Sequence, residues 1–227
     1  MNNIFSLSFS NSTMPVDVEQ NIINEQVEWE LSHYLPGQLS DIKVIMTDSS
    51  FEYSGYKEVL FICINKKILN YINIMAQLSD STLSKLLVEN FAIENYLLTN
   101  KLIDPVKNQI LFNIDNIQLI SHYFIGGKYF TSYTDNINPL KMNTYNEKVV
   151  RIAKEKYLVI KNLNEQLPFG KNKDLEVFVY GQALTELLLT DIQASFSDPV
   201  HKPHASNYPN LDSNEVSKYV EGLGIFC

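Results

Sequence analysis

Apolar positions Ile23, Val27, Leu31 and Tyr34/Leu35 recur at helical spacing and predict a helix over residues 17–35. Asp17 and Glu19 suit the positive end of that helix, and Pro36-Gly37 stops it. The period then changes. Ile42, Val44 and Met46 alternate with Lys43, Ile45 and Thr47, the pattern of a half-buried strand. After a polar loop at 48–57, Val59 to Ile64 is continuously apolar, as a central strand would be. Asn65-Lys66 reads as a tight turn. Ile68, Asn70, Ile72, Ile74, Ala76 and Leu78 then follow at period two. Ile68, Ile72 and Met75 also fit a helix, but the isoleucine and tyrosine content favours a strand.

Ser79 or Asp80 can cap a following helix with the stripe Leu83, Leu86/Leu87, Phe91 and Glu94/Leu98. Residues 96–103 and 109–114 read as a strand pair around Asp104-Pro105. Residues 117–125 and 128–134 read as a further pair, turned at Gly126-Gly127, with another turn at Asp115-Asn116. Thr144-x-x-Glu147 is a capping box for a long helix through Val150, Ala153, Tyr157, Ile160 and Leu167, ended by Pro168-Phe169-Gly170. Residues 174–196 read as a second helix and 197–210 as a proline-containing linker. Asp212-x-x-Glu215 opens a short last helix that Gly222 and Gly224 end. The expected fold is α+β: an N-terminal helix, an antiparallel sheet of about five or more strands with an inserted helix, and C-terminal helices. Residues 1–15 are expected to be a flexible arm, 16–167 the α+β domain and 168–227 a helical extension.

The 227 residues can bury a real core without staples. The formal charge of −8 and the single arginine, Arg151, argue against nucleic acid, whose phosphates and guanines favour guanidinium forks. No run approaches a membrane helix and the start has no secretory pattern, so the expectation is a cytoplasmic protein. Cys63 lies in an apolar run and Cys227 is the last residue. Cys63 has no evident basic neighbour that would mark a catalytic thiol.

Candidate chemistry is sparse. Glu30-x-x-His33 is half of a di-iron carboxylate pattern, and no second Glu-x-x-His supplies the other half. His201 and His204, with Asp198, are spaced to share a metal, but Pro199 and Pro203 keep the segment extended. His122 reads as a core or edge histidine. Gly126-Gly127-Lys128 lacks the strand-to-helix setting of a phosphate loop. There is no Gly-x-Ser-x-Gly elbow. These residues support no catalytic, cofactor or metal site, and the chain reads as a binding protein rather than an enzyme.

The run ILNYINIMAQLSDSTLSKLLVENF, ending in Leu86, Leu87, Asn90 and Phe91, and the following YLLTNKLIDPVKNQILFNI resemble the class I type III secretion chaperones, the Tir-chaperone family. The resemblance spans roughly residues 17–165, clearest over 58–114. It leaves 117–134 and 168–227 without a counterpart. It implies a homodimer that holds an extended segment of a secreted effector by strand addition and apolar grooves. Val44, Met46, Leu60, Ile62, Ile72 and Ile74 would be the partner-binding sheet positions, and Leu83, Leu87 and Phe91 the dimer contact. Plain core packing is the other role open to each of them. Three other readings compete. One is an acidic immunity protein that neutralises a toxin domain by tight 1:1 binding. Another is an enzyme with a site scattered over residues such as Glu30, His33 and Asp48. The last is a structural subunit of a larger secretion or phage assembly.

Overall fold

The computed structural model describes residues 8–34, 39–47, 51–82, 89–102, 107–137, 145–167 and 173–203. The chain divides into two compact units, residues 1–86 and 87–227. The domain boundary expected at 167 falls inside the second unit.

In the first unit, β1 (Ser8–Pro15) and β2 (Ile42–Thr47) flank the long strand β4 (Tyr56–Asn65). The short strand β3 (Glu52–Tyr53) also pairs with β4. All pairings are antiparallel, with Val44 opposite Cys63 and Met14 opposite Lys57. Most of the stretch expected to be a flexible arm is therefore an edge strand. The helix α1 (Gln20–Tyr34) forms where the spacing places it, its first turn closed by Ile22 and Ile23 amides on the Glu19 carbonyl. Its stripe of Ile23, Val27 and Leu31 is buried together with Met14, Val59, Phe61 and Cys63. The odd-numbered positions of β4 face this cluster, as the two-residue strand period requires.

Residues 68–78 differ from expectation. They lie in α2 (Lys66–Leu78), a helix. Asn65 takes extended backbone and its side chain accepts from the Lys67 amide, so the predicted turn is an N-cap. Ser79, expected to start a helix, closes this one, its amide bonding back to Met75 and Ala76. The helical spacing of Ile68, Ile72 and Met75 prevails over the period-two reading because the cap sits immediately before it.

The second unit opens with α3 (Glu89–Thr99), so residues 96–99 are helical rather than strand. Then β5 (Asn108–Ile114), β6 (Gln118–Ile125) and β7 (Lys128–Asn136) form the predicted meander, with Gly126 and Gly127 at positive φ in the hairpin turn. The long helix α4 (Tyr145–Gln166) buries Val149, Ile152, Ala153, Tyr157 and Ile160. Residues 174–196, expected as one helix, are instead β8 (Leu175–Tyr180), a turn at Gly181, and α5 (Glu186–Ser195). The short strand β9 (Val200–His201) occupies part of the predicted linker. The sheet order is β7-β6-β5-β8-β9, with β8 parallel to β5 and β9 parallel to β8. The α+β class holds, and this five-stranded sheet is mixed.

The continuous apolar runs of β5 and β8 follow from this topology. Ile110, Leu111, Phe112 and Ile114, and Val177, Phe178 and Val179, are all buried, as strands covered on both faces are. One polar network crosses the core. The Asn164 side-chain oxygen accepts from Asn108 Nδ2 at 2.6 Å and the Tyr123 hydroxyl at 2.8 Å, and its Nδ2 donates to the Lys173 carbonyl. Asn108 Oδ1 in turn accepts from the Gly126 amide. These bonds join α4 to β5, β6 and the hairpin turn in one register.

Candidate functional site

In the second unit the chain leaves β5 towards β6 on one side, while β8 lies on the other. The carboxyl ends of β5 and β8 are therefore the switch point of the sheet, where ligands of open α/β sheets bind. Asn113, Ile114 and Asp115 stand at one strand end, and Tyr180, Gly181 and Gln182 at the other. Gly181 has φ +122, and a Cβ there would lie 2.3 Å from the Ile114 carbonyl oxygen and 2.7 Å from Asn113 Oδ1. The two strand ends thus touch backbone to backbone, which only glycine permits. The Ala183 amide donates to the same Ile114 carbonyl, and Thr185 caps α5 by accepting from Leu188 N. On the β5–β6 turn, Asp115 N donates to the Gln118 carbonyl and Asn116 N to the Asp115 carboxylate at 2.6 Å. The Tyr145 hydroxyl, from the start of α4, donates to the Asp115 carbonyl at 2.9 Å. Burial, and then the charge of Asp115, raise the Tyr145 pKa.

A second cluster joins α4 to the segment after α5. The Tyr157 hydroxyl donates to Asp198 and lies 2.7 Å from Ser197 Oγ, and its ring stacks on Phe196 at 4.4 Å. Lys161 Nζ donates to Asp198 at 2.6 Å, Ser197 at 2.9 Å and Tyr157 at 3.0 Å, and these bonds to Asp198 and Tyr157 raise its pKa. A phenol bonded to a carboxylate and an ammonium held protonated make a clamp, not an activated nucleophile.

The residues singled out from the sequence scatter. Val44 is half-buried against the α1 core and Ile62 is buried. Ile72 and Ile74 lie on α2, not on a sheet; Ile72 is half-buried and Ile74 exposed. Met46 and Leu60 are placed only by register, opposite Phe61 and Thr47 respectively. Leu83 and Leu87 lie outside the described residues, and Phe91 is within α3 with its side chain outside them. His33 is exposed on α1, its ring 4.5 Å from that of Trp29, while the Glu30 side chain and Asp48 lie outside the described residues. His201 tilts against Phe178, and His204 lies outside the described residues. Asp198 is bonded to Tyr157 and Lys161. Cys63 is a buried thiol, its pKa raised by burial, and Cys227 lies outside the described residues. His122 is buried in β6, where desolvation lowers its pKa to about 4. Among the described residues no three His, Cys, Asp or Glu side chains converge as a metal would need, and no helix is long and apolar enough to cross a membrane.

No protein-family model and no curated protein matches the sequence. Solved structures do. A chain of the "PilM-PilN type IV pilus biogenesis complex" superposes over 96% of this chain and 75% of its own, with TM-score 0.68 and 13% identity. The protein has the fold of that pilus-assembly chain. A Bacteroides thetaiotaomicron protein described as having an actin-like ATPase fold and unknown function covers 96% of this chain and 70% of its own, at TM-score 0.48 and 12% identity. The ethanolamine utilization protein EutJ from Carboxydothermus hydrogenoformans covers 64% and 55%, at TM-score 0.41 and 14% identity. The likeness to the PilM–PilN chain overturns the resemblance to type III secretion chaperones, because it runs through both units, including 117–134 and the strands beyond 168. With it falls the reading of the chain as an effector-holding chaperone. The run quoted for that resemblance is helical at 68–78, where a third strand was required.

The switch point left only one short local trace in the sequence. Gly181 sits in VFVYGQALTE, and that short apolar run bounded by glycine was the available signal for a strand followed by a helix.

Proposed function

We propose that this chain is a protein-binding component of a type IV pilus or related assembly apparatus, works in the cytoplasm, and is not an enzyme. The likeness in fold to a chain of the PilM–PilN complex, over 96% of this chain at TM-score 0.68, carries the reading. Two further features support it. The best-formed polar cluster, at Tyr157, Lys161 and Asp198, is spent on holding α4 to the segment after α5. The helix α2 buries none of its residues and keeps Tyr71, Ile74, Met75 and Leu78 exposed, as surfaces that meet other proteins do. The partner on this reading is a PilN-type protein, and self-association into a homodimer is a further expectation.

The test is deletion of the gene in its own host, with pili counted by electron microscopy and the tagged chain used to recover partners after crosslinking. Loss of pili, restored by complementation, together with recovery of a PilN-type protein is the expected result. Undiminished piliation with no pilus-assembly protein recovered would sink the proposal. Light scattering of the purified chain decides the homodimer, and a monomer at micromolar concentration removes it.

A further inference from the structure

The carboxyl end of a sheet like that of the second unit is where phosphate-bearing ligands dock, because strand-end and helix-start amides point outward and free glycines let the ligand approach. The residues present at this end do not fit such a ligand. The turn that would cradle phosphate carries Asp115 and Asn116, and its amides are engaged: Asp115 N on the Gln118 carbonyl at 2.9 Å and Asn116 N on the Asp115 carboxylate at 2.6 Å. The carboxylate thus takes up an amide that would otherwise face an anion and adds negative charge to the turn. Tyr145 covers the same turn from α4 through its bond to the Asp115 carbonyl.

Several amides of the opposite strand end are also engaged. The space beside Gly181 is filled by the protein's own backbone, since even a Cβ would meet Ile114 N at 2.6 Å. The glycine therefore serves strand-to-strand contact rather than the approach of a ligand on this side. The Ala183 amide is used on Ile114 O at 3.1 Å, Leu184 N on Gly181 O at 3.3 Å, and Leu188 N on the Thr185 hydroxyl at 3.2 Å. The first turn of α5 carries Glu186, a second negative charge at this helix start, which is bonded to Lys202. The single arginine, Arg151, is exposed on α4.

From this geometry we infer that the switch-point end of the second unit is closed to nucleoside polyphosphates, and that the fold is kept here as a permanent framework rather than a nucleotide-driven one. The inference stands on the strand-end contacts alone and does not rest on the pilus reading.

The test is calorimetric titration of the full chain with ATP and ADP, each with magnesium. Amide hydrogen exchange is followed over residues 113–117 and 181–189 with and without nucleotide. The expected result is no saturable binding tighter than about 1 mM, with exchange unchanged in both segments. Saturable binding that leaves both segments unchanged also supports closure of this end, since the nucleotide would then sit elsewhere. Saturable binding that protects amides in either segment overturns the inference.

Discussion

In the second unit, β5 and β8 are buried along nearly their whole length, and the buried Asn108 of β5 is held in a network with Asn164 and, through it, Tyr123. In the first unit, one sheet face is sealed by α1, while α2 buries no residue at all and leaves Tyr71 65%, Ile74 52% and Leu78 78% exposed. The apolar residues of the two units therefore have different work. Those of β5 and β8 hold a fold, so replacing them costs packing. Those of α2 contribute little to the fold and are available to a partner. Similar apolar sequences carry opposite consequences, and neighbouring structure decides which.

The sharpest way to break this contrast is at Gly181. Gly181→Val adds strain at φ +122 and drives a side chain into the β5 backbone. It is expected to cost about 4 kcal/mol in urea unfolding, and a loss below about 1 kcal/mol would remove the claim that the strand ends are in obligatory contact.

Acidification comes next. His122 is held neutral by burial, with its pKa near 4 in the fold against 6.5 when free. Between those values the unfolded chain binds the extra proton, so stability falls as pH drops from 6.5 to 4 and this contribution levels off below that. The expected loss is about 3 kcal/mol. His122→Gln should flatten this slope in melts taken across the range, and an unchanged slope would assign it to other groups.

Asn164→Leu keeps the bulk but removes the acceptor shared by Asn108 and Tyr123. It should cost about 2 kcal/mol, and a neutral result would show that the network adds specificity without stability.

The smallest effect is expected on α2. Ile74→Ser should change stability by less than about 0.5 kcal/mol while weakening recovery of the partner. A large destabilisation there would erase the difference between the two units.

Much of the architecture was legible where the information is local. The α1 stripe of Ile23, Val27 and Leu31, the alternation in β2, the Gly126-Gly127 hairpin and the α4 stripe each sit within one short window, and each element forms. Residues 68–78 fitted two periods at once, and the Asn65 cap decided between them. Residues 175–180 were misread because a buried parallel strand lacks alternation, and six apolar-rich residues beside a helix pass for its first turns. The site was less legible still. Val44, Ile62, Ile72 and Ile74 were grouped on the premise of one sheet, and the structure distributes them over β2, β4 and α2.

By itself the sequence determined an acidic α+β chain with little arginine, its helical stripes and its hairpin turns, since propensity, turn chemistry and charge act between near neighbours. The tertiary structure alone decided the pairing of β5 with β8 and the contact of Gly181 with Ile114. Parallel pairing joins Asn108 to Leu175 across a helix and a meander, and no short window of sequence carries a contact of that range.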